Sequence, residues 1–199
     1  MGALLIRRLS NRSKVYVGTP AWGNYKPLFA LDDLEVIEYK YYDPDSQTVD
    51  FETTIGTVQR APYGSVFVLQ ACCQNPTGAD FTQPQWSLLA QEFSRRDHFA
   101  FFDAAYLGFG GLIEDDAYAI RLFAKQKIEL LVCQSFSKNL GLYGERVGAL
   151  HVLLNNSNTS SAIRDHLRSL IRWEFSSSPA FGCRLANIVM SDERLRTQW

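Results

Sequence analysis

Several polar side chains that could take part in catalysis each follow a short apolar run of the chain. They are an amide, a carboxylate, two hydroxyls and an amine: Asn75, Asp103, Ser135, Ser137 and Lys138. A lysine in a partly desolvated pocket loses its proton readily and can form a Schiff base. A buried aspartate is costly unless it faces a cation. The two serines and Arg146, eight residues beyond Lys138, would suit a phosphate, because a guanidinium offers paired donors.

A pyridinium nitrogen would be a suitable cation for the aspartate. An aspartate beside that nitrogen is how proteins strengthen pyridoxal phosphate as an electron sink. Tyr106, three residues after Asp103, could reach an oxygen of the same ring together with Asn75. The residue types therefore favour a site for this cofactor, with Lys138 as the reacting amine.

The apolar runs are interpreted as buried strands, at residues 65–70, 99–102 and 128–133. Helical patterns separate them: one begins near Thr82, and another covers residues 114–127. Strands and helices that alternate at this spacing indicate βαβ units and an α/β fold, a mainly parallel sheet with flanking helices. Ligands bind beyond the carboxyl ends of such strands. The polar side chains should therefore converge at one edge of the sheet.

The remaining pattern predicts short strands at residues 15–17 and 35–42, a fourth strand of the main series at 147–154, and a final helix at 161–173. The intervening stretch 155–161, rich in Asn and Ser, is the best candidate for a domain boundary. The acidic pair Asp115 and Asp116 is expected on a solvated face.

The composition is that of an ordinary globular protein. Of 199 residues, 46% are hydrophobic and 21% charged, with a net charge of -1, which excludes disordered and collagen-like classes. The near-neutral balance predicts no nucleic-acid or membrane partner. Four cysteines and three histidines lack zinc-site spacing, so we expect no metal. The apolar run at 3–6 is too short for a signal peptide or a membrane span, and we expect a cytoplasmic protein.

Four motifs together resemble the aspartate aminotransferase branch of the fold-type I, pyridoxal-phosphate-dependent aminotransferases (class I). They are N-P-T-G at 75–78, F-F-D-A-A-Y-L-G-F at 101–109, A-I-R-L-F at 119–123 and Q-S-F-S-K-N-L-G-L-Y-G-E-R-V-G at 134–148. The resemblance implies that residues 1–155 form the central part of the family's cofactor-binding large domain. It implies that residues 156–199 are a helical extension leading towards the small domain.

The resemblance implies a role for each residue of the constellation. Lys138 would form the internal aldimine with pyridoxal 5'-phosphate and shuttle the substrate proton. Asp103 would keep the pyridine nitrogen protonated, and Asn75 and Tyr106 would hydrogen-bond the phenolic oxygen. The phosphate contacts would come from Ser135, Ser137 and Arg146.

Three further positions come from the same resemblance. Trp22, in P-A-W-G-N-Y, matches the tryptophan that stacks on the cofactor ring. Tyr25 stands where these enzymes usually have a histidine that touches the aspartate. Arg172 matches an arginine that enters the neighbouring subunit's site and binds the substrate's side-chain carboxylate, which implies a homodimer. Substrate contacts are therefore expected from Arg172, Trp22 and Asn75.

The implied reaction is ping-pong transamination between L-aspartate, or another dicarboxylic or aromatic amino acid, and 2-oxoglutarate. The resemblance covers only the middle of a family member, so we expect a truncated chain without the Ser-Gly-Thr phosphate turn and the small domain. An alternative is a catalytically weak or silent paralogue that needs a full-length partner subunit. Simpler roles also remain: Asn75 in an Asx-turn, Trp22 in core packing and Arg172 in a surface ion pair.

Overall fold

A six-stranded sheet forms the centre of the protein. The computed structural model describes residues 1–9 and 14–199, and for Leu9 and Ser157 only the backbone. The strands of this sheet are β1 (Lys14–Thr19), β2 (Glu35–Lys40), β5 (Val66–Gln70), β6 (Phe99–Ala104), β7 (Leu130–Ser135) and β8 (Gly148–Leu153). Their order is β2-β1-β5-β6-β7-β8, and every pairing is parallel except β7 with β8. The expectation of a mainly parallel sheet with flanking helices is confirmed.

The connections between these strands contain most of the helices. A two-stranded hairpin is formed by β3 (Tyr42–Asp43) and β4 (Thr48–Val49). The helices are α1 (Gly2–Leu9), α2 (Tyr25–Ala30), α3 (Phe51–Arg60), α4 (Gln83–Arg96), α5 (Ile113–Asp116), α6 (Tyr118–Lys125), α7 (Ser160–Phe175), α8 (Phe181–Ser191) and α9 (Glu193–Gln198), with a 3-10 turn at Ser157–Thr159. Within the described chain, no helix is both long and apolar enough to cross a membrane.

Aromatic side chains fill the core on the first face of the sheet, beneath α3, α4 and α6. The ring centroid of Phe123 lies 5.2 Å from that of Phe93 and 5.2 Å from that of Phe102, and both ring pairs are steeply inclined. All three side chains are fully buried. Inclined aromatic pairs of this kind add specific stabilisation to the area that they bury.

The second face of the sheet is covered by α1, α2 and α7. Phe29 of α2 packs edge-on against Phe101 of β6, with ring centroids 5.6 Å apart. Leu5 of α1 and Leu170 of α7 are buried in the same cluster. Helix α7 thus covers the sheet. The assignment of residues 156–199 as an extension towards another domain stays a prediction.

The helix expected at residues 114–127 is instead two helices, α5 and α6, because the chain turns at Ala117. The expectation that Asp116 is solvated was wrong. Its side chain is buried, and Oδ2 accepts hydrogen bonds from the backbone N–H groups of Gly108 (2.7 Å) and Gly110 (3.2 Å). A carboxylate that satisfies two loop N–H groups can be buried, and here it fixes the chain that follows β6.

The helix predicted at 161–173 is present as α7. The prediction that it is the final element was wrong, because α8 and α9 follow it. The predicted start of α4 is confirmed. Thr82 caps the helix through a reciprocal pair of hydrogen bonds with Gln85, a capping box that satisfies backbone donors at its first turn.

Candidate active site

A cleft with a cavity of about 380 Å³ lies at the carboxyl edge of β5, β6 and β7. Its volume suits a small organic ligand. Eight of the nine residues predicted from the sequence line it: Trp22, Asn75, Asp103, Tyr106, Ser135, Ser137, Lys138 and Arg146. The parallel strands bring these residues together, because their carboxyl ends meet at one edge of the sheet.

Asp103 lies near the end of β6 and is held by Tyr25 of α2. The Tyr25 hydroxyl donates a hydrogen bond of 2.5 Å to Oδ2 of Asp103. Burial raises the pKa of Asp103 above its ordinary value, while the Tyr25 hydrogen bond and the charge of Lys138 act in the opposite direction. Burial and the charge of Asp103 raise the pKa of the Tyr25 hydroxyl. Tyr25 is therefore a neutral donor to the carboxylate.

Lys138 lies in the loop that follows β7. Its Nζ atom sits over the Tyr106 ring, 4.7 Å from the ring centroid, a distance at which a cation is attracted to the π face. The Tyr106 hydroxyl accepts a hydrogen bond of 3.3 Å from Nδ2 of Asn75. The amine, the phenol and the amide are thus linked on one wall of the cleft.

Asn75 is itself fixed by Gln70, the last residue of β5. The Gln70 side chain accepts a hydrogen bond from the Asn75 backbone N–H (2.8 Å) and donates one to the Asn75 carbonyl (3.2 Å). Gln70 was not among the residues predicted from the sequence. A glutamine at the end of an otherwise apolar strand was the available signal.

The candidate phosphate-binding residues lie at the end of β7 and beyond it. The Ser137 backbone N–H donates to Oγ of Ser135 at 3.1 Å, which turns the chain tightly after the strand. Arg146 has a φ of 51°, a left-handed backbone that is uncommon for a residue with a side chain. Its guanidinium donates to the Tyr143 carbonyl at 2.7 Å. Hydroxyls and a guanidinium thus line one part of the cleft.

Trp22 and Cys133 also line the cleft. The Trp22 ring meets the Tyr25 ring edge-on, with centroids 5.4 Å apart, and the indole is 40% exposed. Cys133, for which the sequence predicted no role, pairs in register with Asp103. Burial and the charge of Asp103 raise the pKa of the Cys133 thiol to about 12, so the thiol stays protonated near neutral pH.

Arg172 is the one predicted residue that lies outside this cleft. It is exposed in the last turn of α7, where its Nη1 donates to the Ser176 hydroxyl. Its role in a neighbouring subunit's site stays a prediction.

The fold and the cleft define a class of protein: the sheet matches that of the fold-type I, pyridoxal-phosphate-dependent aminotransferases. The aromatic-amino-acid aminotransferase from Burkholderia pseudomallei, solved covalently bound to pyridoxal phosphate, is 37% identical with a TM-score of 0.96. That match covers 100% of this chain and 50% of that one. The family model for aminotransferase class I and II matches residues 2–199, and the chain belongs to this family.

Curated relatives agree with this membership. Aminotransferase tasG of Hapsidospora irregularis is 48% identical over 100% of this chain and 62% of its own length. The mitochondrial aspartate aminotransferase of Schizosaccharomyces pombe is 43% identical over 93% of this chain and 43% of its own length. The chain thus spans about half the length of the relatives that it matches.

Proposed function

We propose that this chain binds pyridoxal 5'-phosphate in the cleft and acts in transamination between L-aspartate, or another dicarboxylic or aromatic amino acid, and 2-oxoglutarate. The observation that carries the proposal is the convergence of Lys138, Asp103 and the Asn75–Tyr106 pair on one cavity. The names of the relatives support both the aspartate and the aromatic alternatives.

The chemical groups of the cleft fit this cofactor. Asp103 offers a desolvated carboxylate to a ring nitrogen, and Asn75 with Tyr106 offers donors to a ring oxygen. Trp22 would cover one face of the ring. The phosphate would be held by hydroxyls and a guanidinium: Ser135, Ser137 and Arg146.

When bound, the cofactor supplies an electron sink for the bond that breaks at the substrate α-carbon. Lys138 would supply the amine that attaches the cofactor and would carry a proton on Nζ. Asp103 would offer its negative charge to the ring nitrogen, and its bond to Tyr25 keeps the carboxylate oriented. We propose a ping-pong order, in which the donor leaves as a 2-oxo acid before the acceptor binds.

A homodimer is also part of the proposal. Arg172 is exposed and lies outside its own chain's cleft, which suits a contact with substrate in a neighbouring copy. Trp22 and Asn75 would contact the substrate from within the chain. Mutation of Arg172 to alanine should lower turnover of acidic donors more than that of aromatic donors. An equal loss with both would contradict a role in binding the side-chain carboxylate.

The cytoplasm is the proposed compartment, supported by four unpaired thiols, which suit a reducing environment. Fractionation of cells that produce the tagged chain would test it.

The decisive experiment is cofactor attachment. The purified chain is mixed with pyridoxal 5'-phosphate, reduced with borohydride, digested and mapped by mass spectrometry. We expect an adduct on Lys138 that is lost in Lys138→Ala and kept in the matched surface variant Lys125→Ala. An adduct elsewhere, or none, would overturn the proposal.

Turnover is measured separately with aspartate and 2-oxoglutarate. Attachment without turnover would favour the weak or silent paralogue, and adding a full-length family member would then test whether a partner restores activity.

A further inference from the structure

We propose that Tyr25 is a positioning residue that keeps Asp103 ionised and oriented through the hydrogen bond that its hydroxyl donates to Oδ2. This inference rests on the proposed function, because Asp103 matters only if it meets a cationic ring nitrogen. It identifies a residue that controls how the cofactor site depends on pH.

The geometry fixes the Tyr25 hydroxyl on the carboxylate. Tyr25 begins α2, and its side chain is 5% exposed. The Trp22 ring packs edge-on against it, and the Phe29 ring lies 6.4 Å away between centroids. A ring confined on two sides has little rotational freedom. The bond of 2.5 Å to Oδ2 of Asp103 is therefore a fixed feature of the wall.

The charged and titratable groups that line the cleft with Asp103 come from several elements. Tyr25 belongs to α2, Cys133 to β7, and Lys138 and Arg146 to the chain after β7, while Tyr106 follows β6 and the Met1 amino group precedes α1. The Cys133 thiol is protonated near neutral pH, and Lys138 is the cation that acts on the Asp103 carboxyl group. Tyr25 and Lys138 both lower the pKa of Asp103, against the larger effect of burial.

The neutrality of Tyr25 has a consequence for function. Its pKa is raised by burial and by Asp103, so the hydroxyl keeps its proton at every working pH. A histidine in its place would titrate near neutrality, and the hydrogen bond would then change with pH. With tyrosine, Asp103 has a donor of constant charge. Without that donor, Asp103 would take up a proton at higher pH, and a neutral carboxyl group cannot pair with a pyridinium ion.

The first measurement is made on the chain without cofactor. Carboxyl 13C signals of labelled aspartate are followed against pH, and Asp103 is assigned by the signal lost in Asp103→Asn. Tyr25→Phe should move the Asp103 titration to higher pH. Tyr39→Phe is the matched control: Tyr39 of β2 is likewise a buried tyrosine, and burial alone raises its pKa. It should leave the Asp103 titration unchanged.

The second measurement is the dissociation constant of pyridoxal 5'-phosphate, taken from absorbance. The ratio between Tyr25→Phe and wild type should be close to one at a pH above the Asp103 titrations found in the first measurement. It should rise to roughly 3- to 10-fold at a pH between the two titrations, because the lost hydrogen bond lets the variant carboxyl group take up its proton first. A merely structural defect would weaken binding equally at both pH values. A ratio independent of pH would therefore overturn the proposal.

Tyr25→His is the second variant, and it keeps the proposal testable if Tyr25→Phe does not fold. A histidine restores a donor but titrates, so it should add a second step to the Asp103 titration near pH 6.5. If neither variant changes that titration, the inference is wrong. If the titration shifts but no variant, including wild type, binds the cofactor, the proposed function fails while the Tyr25–Asp103 coupling stands.

Discussion

The two ends of strands β5, β6 and β7 have different roles. Before their carboxyl ends, β5, β6 and β7 present fully buried apolar side chains, among them Phe67, Phe102 and Leu131. At their carboxyl ends the same strands present Gln70, Asp103 and Ser135 to an open cleft. The sequence changes from apolar to polar within one or two residues. Stability and chemistry are therefore separated along each strand rather than between domains.

Buried polar groups occur at both ends of these strands. His98, just before β6, is buried, and its Nδ1 accepts a hydrogen bond of 3.1 Å from the Ser65 N–H. Its Nε2 lies 2.8 Å from the Val58 carbonyl. These contacts join helix α3 to the start of β5, so both ring nitrogens are used inside the core. A buried polar residue of this fold is a candidate for function where several of them face one cleft, as at the carboxyl ends.

The largest expected effect is on stability, at a buried apolar residue of β6. Phe102→Ala should lower the free energy of unfolding by about 3–5 kcal/mol, because the ring is fully buried against Phe123 and its removal leaves a cavity. Urea denaturation followed by circular dichroism measures it. Leu31→Ala, at an 87% exposed position, is the control and should change little. A loss below about 1 kcal/mol for Phe102→Ala would contradict the assignment of this end to stability.

The next residue along the same strand should behave in the opposite way. Asp103→Asn should weaken binding of pyridoxal 5'-phosphate by roughly 10- to 100-fold, because a charged hydrogen-bond partner is removed. Its stability should not fall at neutral pH. Burial raises the pKa of Asp103, so the ionised group costs free energy above that pKa and the cost disappears as the pH falls through it.

Asp103→Asn should therefore exceed wild type in unfolding free energy near pH 8, with a difference that shrinks towards pH 4. Denaturation at several pH values measures this trend. The exposed variant Asp45→Asn, in the turn between β3 and β4, should alter neither stability nor affinity. A stability difference that grows at low pH would refute the raised pKa of Asp103.

The smallest expected effect concerns the first helix turn of α4. Thr82→Ala should cost about 1 kcal/mol of unfolding free energy, because the capping box with Gln85 is lost. Cofactor affinity should not change, since neither residue lines the cleft. Denaturation measures the unfolding free energy, and an absorbance titration measures the cofactor affinity. A weakened cofactor affinity would contradict the prediction, because it would mean that the stability of α4 and binding in the cleft are coupled.

The sequence was sufficient for features that depend on local pattern. Apolar runs between helical periods predict parallel strands, and parallel strands bring Asn75, Asp103 and Lys138 to one edge. The start of α4 was likewise predictable from Thr82. These inferences need only periodicity, turn residues and the topology of βαβ units.

Features that depend on the path of a loop, or on residues far apart in the sequence, were harder to predict. Asp116 is buried because it accepts hydrogen bonds from the backbone N–H groups of Gly108 and Gly110, and neither residue type signals such a contact. The clamp of Gln70 on Asn75 likewise depends on how the chain turns after β5. The bond of Tyr25 to Asp103 joins residues 78 positions apart, and only the family resemblance suggested it. The predicted role of Arg172 in another copy of the chain also came only from that resemblance.

The Gln70 clamp has a consequence for binding thermodynamics. Its side-chain amide pairs with both backbone polar groups of Asn75, as a neighbouring strand would. The loop after β5 is thus ordered when the protein folds, and Asn75 does not have to be immobilised when a ligand arrives. The entropy of fixing this wall is lost before the encounter, so more of the contact energy of Asn75 is available as affinity.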